Sequence, residues 1–217
     1  MSVKRADPAR FRAEMEAAMT LYQAAMTECR HTELDRIQTL SMITRCLLEL
    51  DRFPEAETIV KEMGEALDKR FGQIGFAGDR MAVDLYRAQY LVFVGRRALQ
   101  GIQEASTDSY AEMKLHLARP YYEEAIRLYR AHQTVDDPEI GRFMVLKDAQ
   151  AQLELARGYI MPKTPSAKNN YKSARDLLAA AHDKVQKHAG PPHQAEFDQL
   201  RPQIVKDLDW VEGELRK

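Results

Sequence analysis

Residues Glu49–Met63 read ELDRFPEAETIVKEM, and the fold turns on how FPEAETIV is taken. Phe53 and Pro54 interrupt a helical pattern that resumes at once, with Ala56 next on its inner side and Val60 four residues further. Proline is tolerated in the first helical turn, where its missing N–H has no intrahelical partner, so the stretch opens a helix from about Pro54 to Phe71. The same order of aromatic, alanine and apolar residue recurs as Tyr122, Ala125 and Tyr129 in YYEEAIRLY, and as Tyr171, Ala174 and Leu178 in NYKSARDLL. A small residue lets two helices approach closely, and an aromatic just before it covers the turn. The alanine is the expected contact point.

Upstream, Phe11, Met15, Ala18, Tyr22, Ala25 and Cys29 fall at alternating steps of four and three, one stripe of a helix opened by Asp7 and Pro8. A second helix carries Ile37, Leu40, Thr44, Leu47 and Leu48 inward, and the short link predicts an antiparallel neighbour. Downstream, Gly72, Gly75 and Gly78 break the pattern. The fourth segment, MAVDLYRAQYLVFVGRRAL, is apolar on more than one side, which predicts the central, most buried helix. Asp108 to His132 is helical in pattern, but Pro120 lacks an N–H and disfavours helical geometry at Arg119, so a break or strong kink is expected there.

Asp137 and Pro138 open a helix with Leu146, Ala149, Leu153, Ala156 and Ile160 inward, followed by the loop MPKTPSAKNN. Tyr171, Ala174, Leu178, Ala181 and Val185 form the next stripe, closed by Gly190, Pro191 and Pro192. The last is Phe197, Leu200, Ile204, Leu208, Val211 and Leu215. No segment shows the two-residue alternation of a strand. The expected fold is all-α, with about eight helices.

The recurrent aromatic-alanine pattern resembles the tetratricopeptide repeat, whose paired helices stack into a curved solenoid. Under that resemblance Leu40, Ile43, Thr44 and Leu47 occupy the Trp, Leu, Gly and Tyr places of the first helix, with Thr44 in place of the small glycine. Ala56 and Ala125 are 69 residues apart, close to two periods of about 34, whereas Ala125 and Ala174 are 49 apart, so the array is irregular. The resemblance implies a single helical-repeat domain over residues 1–217, with sub-boundaries at 72–78 and 161–170. A closed up-and-down helical bundle is the alternative.

Charge and composition limit the partners. The 32 basic and 33 acidic side chains leave a net charge of -1, so no whole-molecule field draws nucleic acid or membrane. The N-terminal stretch carries Glu14 and Glu16 inside an amphipathic helix, unlike a secretory signal, and no window approaches the roughly 18 apolar residues of a membrane span. A soluble, cytoplasmic chain is expected. Cys29 and Cys46 lie in helical patterns without CxxC spacing and read as reduced, packed thiols.

No motif names a reaction. Glu28 and His31 form one Glu-x-x-His pair of the kind that di-iron bundles use, but such a site needs a second pair and two more glutamates. Glu112 and His116 are one turn apart, a spacing common on exposed faces, and His182, His188 and His193 share no helical face. FGQIGFAG lacks the GK[ST] of a phosphate loop. Neither metal nor cofactor is expected. Lys163, Lys168, Lys172, Arg175, Lys184 and Lys187 face only Asp176 and Asp183 within 163–187, an excess that suits phosphates, an acidic peptide or simple solvation.

The leading expectation is a non-enzymatic protein-interaction module, an adaptor, scaffold or chaperone-type holder of a peptide or partner helix in a concave groove. First helices line that groove, with Gln38, Ser41, Arg45 and Glu49 on one and Arg80, Asp84 and Arg87 on another. Arg45, Arg80 and Arg87 suit an acidic peptide, because the guanidinium pairs a carboxylate bidentately. Gln38 completes this polar face. The single tryptophan, Trp210, lies off its helix's inner stripe and suits either contact with a protein partner or a second subunit of a homo-oligomer, or burial against the preceding helix. The alternatives are a ligand-sensing or nucleic-acid-regulating domain using residues 163–187, and an enzyme with an unrecognised site.

Overall fold

The computed structural model describes residues 8–28, 33–50, 52–71, 77–100, 102, 108–161 and 167–217. The described residues form eight helices and no strand: α1 (Pro8–Glu28), α2 (Glu33–Glu49), α3 (Phe53–Phe71), α4 (Ala77–Leu99), α5 (Asp108–Ala131), α6 (Pro138–Ile160), α7 (Ala167–His188) and α8 (Gln194–Leu215). They divide into two compact units, Met1–Tyr86 and Arg87–Lys217, with the division inside α4.

In the first unit α2 packs against both α1 and α3. Its core includes Ile37, Leu40, Leu47, Ala56, Val60 and Met63. The opening stretch behaves as a helix start: the Ala56 N–H reaches the Arg52 carbonyl at 3.0 Å, and Ala56 itself is fully buried. Arg52 grips Glu55 through two contacts of 2.6 and 2.5 Å beside the first turn of α3. Thr44 is buried, and its hydroxyl donates to the Leu40 carbonyl at 2.8 Å, which supplies the partner a buried hydroxyl needs. Cys46 is a buried thiol, whereas Cys29 lies outside the described residues. Asp84, expected on an exposed polar stripe, is buried with 7% of its surface accessible.

In the second unit consecutive helices alternate in direction. Tyr122 and Arg130 of α5 meet Glu154 and Asp148 of α6, so advance along one helix is retreat along the other. Lys184 near the end of α7 meets Asp148, and Arg142 at the start of α6 donates to the Pro191 carbonyl just beyond α7, the same reversal. Arg96 and Leu99 meet Glu154 and Gly158, and Phe143 and Arg157 meet His193 and Asp207, so the second-unit part of α4 runs in the direction of α6 and α8, and α5 and α7 run in the other.

The central helix is α6. It opens where expected: the Asp137 carboxylate accepts from the N–H groups of Glu139 and Ile140 at 2.8 and 3.3 Å, with Pro138 in the first turn. Thirteen of its residues are buried. By contrast Leu91, Val92 and Val94 of α4 are only half-buried. The expectation that the fourth segment is the most buried fails because α6 has neighbours on four sides, and its small residues allow them close. Leu99 of α4 lies where a side chain on Gly158 would meet it at 3.0 Å, and Tyr122 of α5 where a side chain on Gly95 would meet it at 2.7 Å.

Pro120 does not break α5, which runs through from Asp108 to Ala131. Pro120 and His116 are both exposed, so the His116 carbonyl that lacks a helical donor is on the solvent side. Meanwhile Leu115, Ala118, Tyr122 and Ala125 keep a continuous buried stripe on the other side. Tertiary packing outweighs the local preference.

Candidate functional site

The five residues singled out from sequence fall in different units. Gln38 and Arg45 are exposed, two turns apart on α2 in the first unit. Arg80 is on α4, with its side chain outside the described residues. Arg87 is exposed at the start of the second unit, and Trp210, 41% exposed, stands edge-on to Tyr171 of α7 with ring centroids 5.5 Å apart. Trp210 thus shows one side to solvent and spends the other on packing.

A different surface dominates the second unit. Tyr110, Met113, Leu117 and Tyr121 of α5 are 40, 47, 50 and 37% exposed. Their steps of three, four and four place them on one face of the helix, away from the buried Leu115, Ala118 and Tyr122. The helix therefore has two apolar stripes, one packed and one facing water. The repeated pattern marks Tyr122, Ala125 and Tyr129 of the packed stripe, and the outer stripe is visible in the spacing of Tyr110, Met113, Leu117 and Tyr121.

Charged groups edge this outer stripe. The Lys114 ammonium lies 5.4 Å from the Tyr110 ring centroid, a cation–π contact. Glu124, one turn beyond Tyr121, is held by Arg127 at 2.6 and 2.7 Å. That hydrogen bonding lowers the Glu124 pKa below its ordinary range, burial opposes the shift, and the charge of Arg87 on α4 adds to it. Arg87, picked from sequence, is therefore electrostatically linked to the end of the stripe.

Two polar clusters join helices inside the unit, and in the first of them the buried Gln152 Oε1 is left without a hydrogen-bond partner. Asp148 is fully buried and accepts from Gln133 at 2.7 Å, Arg130 at 3.3 Å, Gln152 and Lys184. Burial lowers the Lys184 pKa, and the contact with Asp148 opposes the shift. Glu154 accepts from Tyr122 at 3.0 Å and from Arg96 at 2.5 and 3.2 Å. Burial drives the Tyr122 and Tyr129 phenols well above their ordinary range, reinforced by the Glu154 charge. Each cluster spends its charges joining helices. Nothing in the sequence marks Asp148 and Gln152 as buried, because polar residues on an amphipathic helix ordinarily face outward.

The basic stretch is partly spoken for. Lys184 turns inward to Asp148, Lys187 pairs with Asp183 at 2.8 Å, and Arg175 pairs with Asp176 at 2.8 Å. Lys172 is exposed, and the side chains of Lys163 and Lys168 lie outside the described residues. So do the Glu28 and His31 side chains. Among the described residues no three His, Cys, Asp or Glu side chains gather as metal ligands, and no helix is long and apolar enough to cross a membrane.

Set against protein-family models, characterised proteins and solved structures, the chain gives no significant match.

Proposed function

We propose that the protein is a non-enzymatic interaction module, an adaptor, scaffold or chaperone-type holder built of tetratricopeptide-like helical hairpins, and that its partner docks on the outer face of α5. The alternation of α4 to α8, with α6 between α4 and α8, supports the hairpin stack. So does the complete burial of the three repeated alanines, Ala56, Ala125 and Ala174.

The observation that carries the docking reading is the exposed row Tyr110, Met113, Leu117 and Tyr121. At about 200 Å² per side chain these exposures leave on the order of 350 Å² of largely apolar surface, the size at which a monomer's largest patch is often functional. Covering it contributes roughly 9 kcal/mol at about 25 cal/mol per Å². Association itself costs about 4–15 kcal/mol, so the row anchors a partner but needs charge contacts around it for useful affinity. The repeat resemblance points to a groove on first helices, whereas the exposed row lies on α5, a second helix, with the Arg87 charge acting on Glu124 at its end.

The test is capture from native lysate by the full chain and by a Met113→Ser, Leu117→Ser variant whose helicity is unchanged. Loss of a discrete partner in the variant supports the reading. Capture of the same partner by both forms contradicts it.

A further inference from the structure

Resting on that reading, we propose that the docking element of the partner is an acidic amphipathic helix. The row from Tyr110 to Tyr121 advances about 1.5 Å per residue, a straight track of roughly 16 Å or three turns. Such a track matches the i, i+3, i+4, i+7 face of another helix. An extended peptide that pairs through its backbone needs an open sheet edge, and the described residues form no strand.

Charge selects the sign. Lys114 borders the row beside Tyr110, and Arg127 and Arg87 act at its far end around Glu124. Among the described residues Arg127 neutralises the Glu124 carboxylate, which leaves the charges of Lys114 and Arg87 to set the sign of this face. Glu112, Arg119 and Glu123 lie more than about a quarter turn round the helix from the centre of the row, and Arg119 and Glu123 are paired with each other at 2.6 Å. A helix with glutamates or aspartates beside its apolar face meets Lys114 at one end and Arg87 at the other. Arginine's paired N–H groups suit those carboxylates.

A second copy of this chain fits less well. The exposed row is well below the roughly 800 Å² per partner of a stable interface. Across a two-fold axis the same cationic rim also meets its own image, which opposes closure.

The experiment uses the full chain and two fluorescent peptides of about 18 residues, long enough for five helical turns. They share one leucine face and differ in carrying glutamate or lysine at their polar positions. Fluorescence anisotropy is expected to show the glutamate peptide binding about tenfold or more tightly than the lysine peptide, with the preference shrinking as salt screens the rim. Leu117→Ser removes binding of both, and Arg87→Glu with Arg127→Glu reverses the preference, circular dichroism confirming that each variant stays helical. Equal or tighter binding of the lysine peptide, still lost in Leu117→Ser, overturns the acidic class and leaves the α5 face as a docking surface. Failure of both peptides to bind, or binding that ignores Leu117→Ser, overturns the proposal. Self-association of the free chain that Leu117→Ser abolishes replaces the acidic helix with a second copy.

Discussion

Lys184 donates a hydrogen bond to the fully buried carboxylate of Asp148, tying α7 to α6 by a charge pair that solvent barely reaches. The same carboxylate takes Arg130 and Gln133 from the α5 side, so one side chain joins three consecutive helices. Removing one member of a buried pair leaves the other charge uncompensated, which costs about 3–5 kcal/mol. Asp148→Ala is expected to lose stability in that range in urea unfolding. Lys184→Met should lose less, because Arg130, Gln133 and Gln152 still serve Asp148. A small effect of Asp148→Ala, below about 1 kcal/mol, contradicts the role given to the cluster.

Two helical glycines make a matched pair. A Cβ on Gly95 falls 2.7 Å from the Tyr122 ring, whereas one on Gly64 meets nothing within 4 Å. Gly95→Ala is expected to destabilise by about 1–3 kcal/mol through overpacking. Gly64→Ala should stabilise by about 0.5–1 kcal/mol, since alanine restricts the unfolded chain and fits the helix. Thermal unfolding of both variants checks the signs.

Alkaline pH is expected to unfold the protein through its buried phenols. Tyr122 and Tyr129 have pKa values raised from the ordinary 10.0, chiefly by burial. The folded chain therefore holds protons that the unfolded chain releases, and their stabilisation, complete below about pH 10, is lost as pH climbs above it. Lys184 acts with the opposite sign: its lowered pKa means the unfolded chain binds the extra proton, so its contribution rises with pH up to 10.5. Ultraviolet absorbance of phenolate should lag behind that of free tyrosine and then appear together with loss of helical circular dichroism. Full phenolate absorbance with helicity intact is the contrary result.

The exposed row on α5 predicts a separation of stability from binding. Tyr110, Met113, Leu117 and Tyr121 are substantially exposed, so single changes to serine should alter unfolding by no more than about 0.5 kcal/mol. A large loss of stability in Leu117→Ser assigns the row to internal packing instead of docking.

What was legible in the sequence was whatever followed helical periodicity. Ala56, Ala125 and Ala174, contact points by their place in the repeated pattern, are fully buried, as are Phe197, Ile204 and Val211 on the last stripe. Two failures share a cause. Leu91 to Val94 suggested a central helix because consecutive apolar residues point to many sides, yet α6, with alanines and glycines that admit four neighbours, holds that place. Asp148 is polar by type and buried by position, and only the approach of Lys184 and Arg130 from other helices makes that burial tolerable. Pro120 shows local preference yielding to packing. For the candidate surface, Arg87 was readable as an exposed arginine, but its link to Glu124 depends on the pairing of α4 with α5. The outer row of α5 is present in the spacing, as a second apolar stripe about a third of a turn from the first.

The most direct measurement places a photo-crosslinking amino acid at position 117, and in a parallel sample at the exposed position 172 of α7, in cells that make the protein. The account predicts a discrete crosslinked partner from position 117, suppressed by Met113→Ser, and none from position 172. The absence of a crosslink at 117, or the same products from both positions, contradicts the claim that the outer face of α5 is an interaction surface.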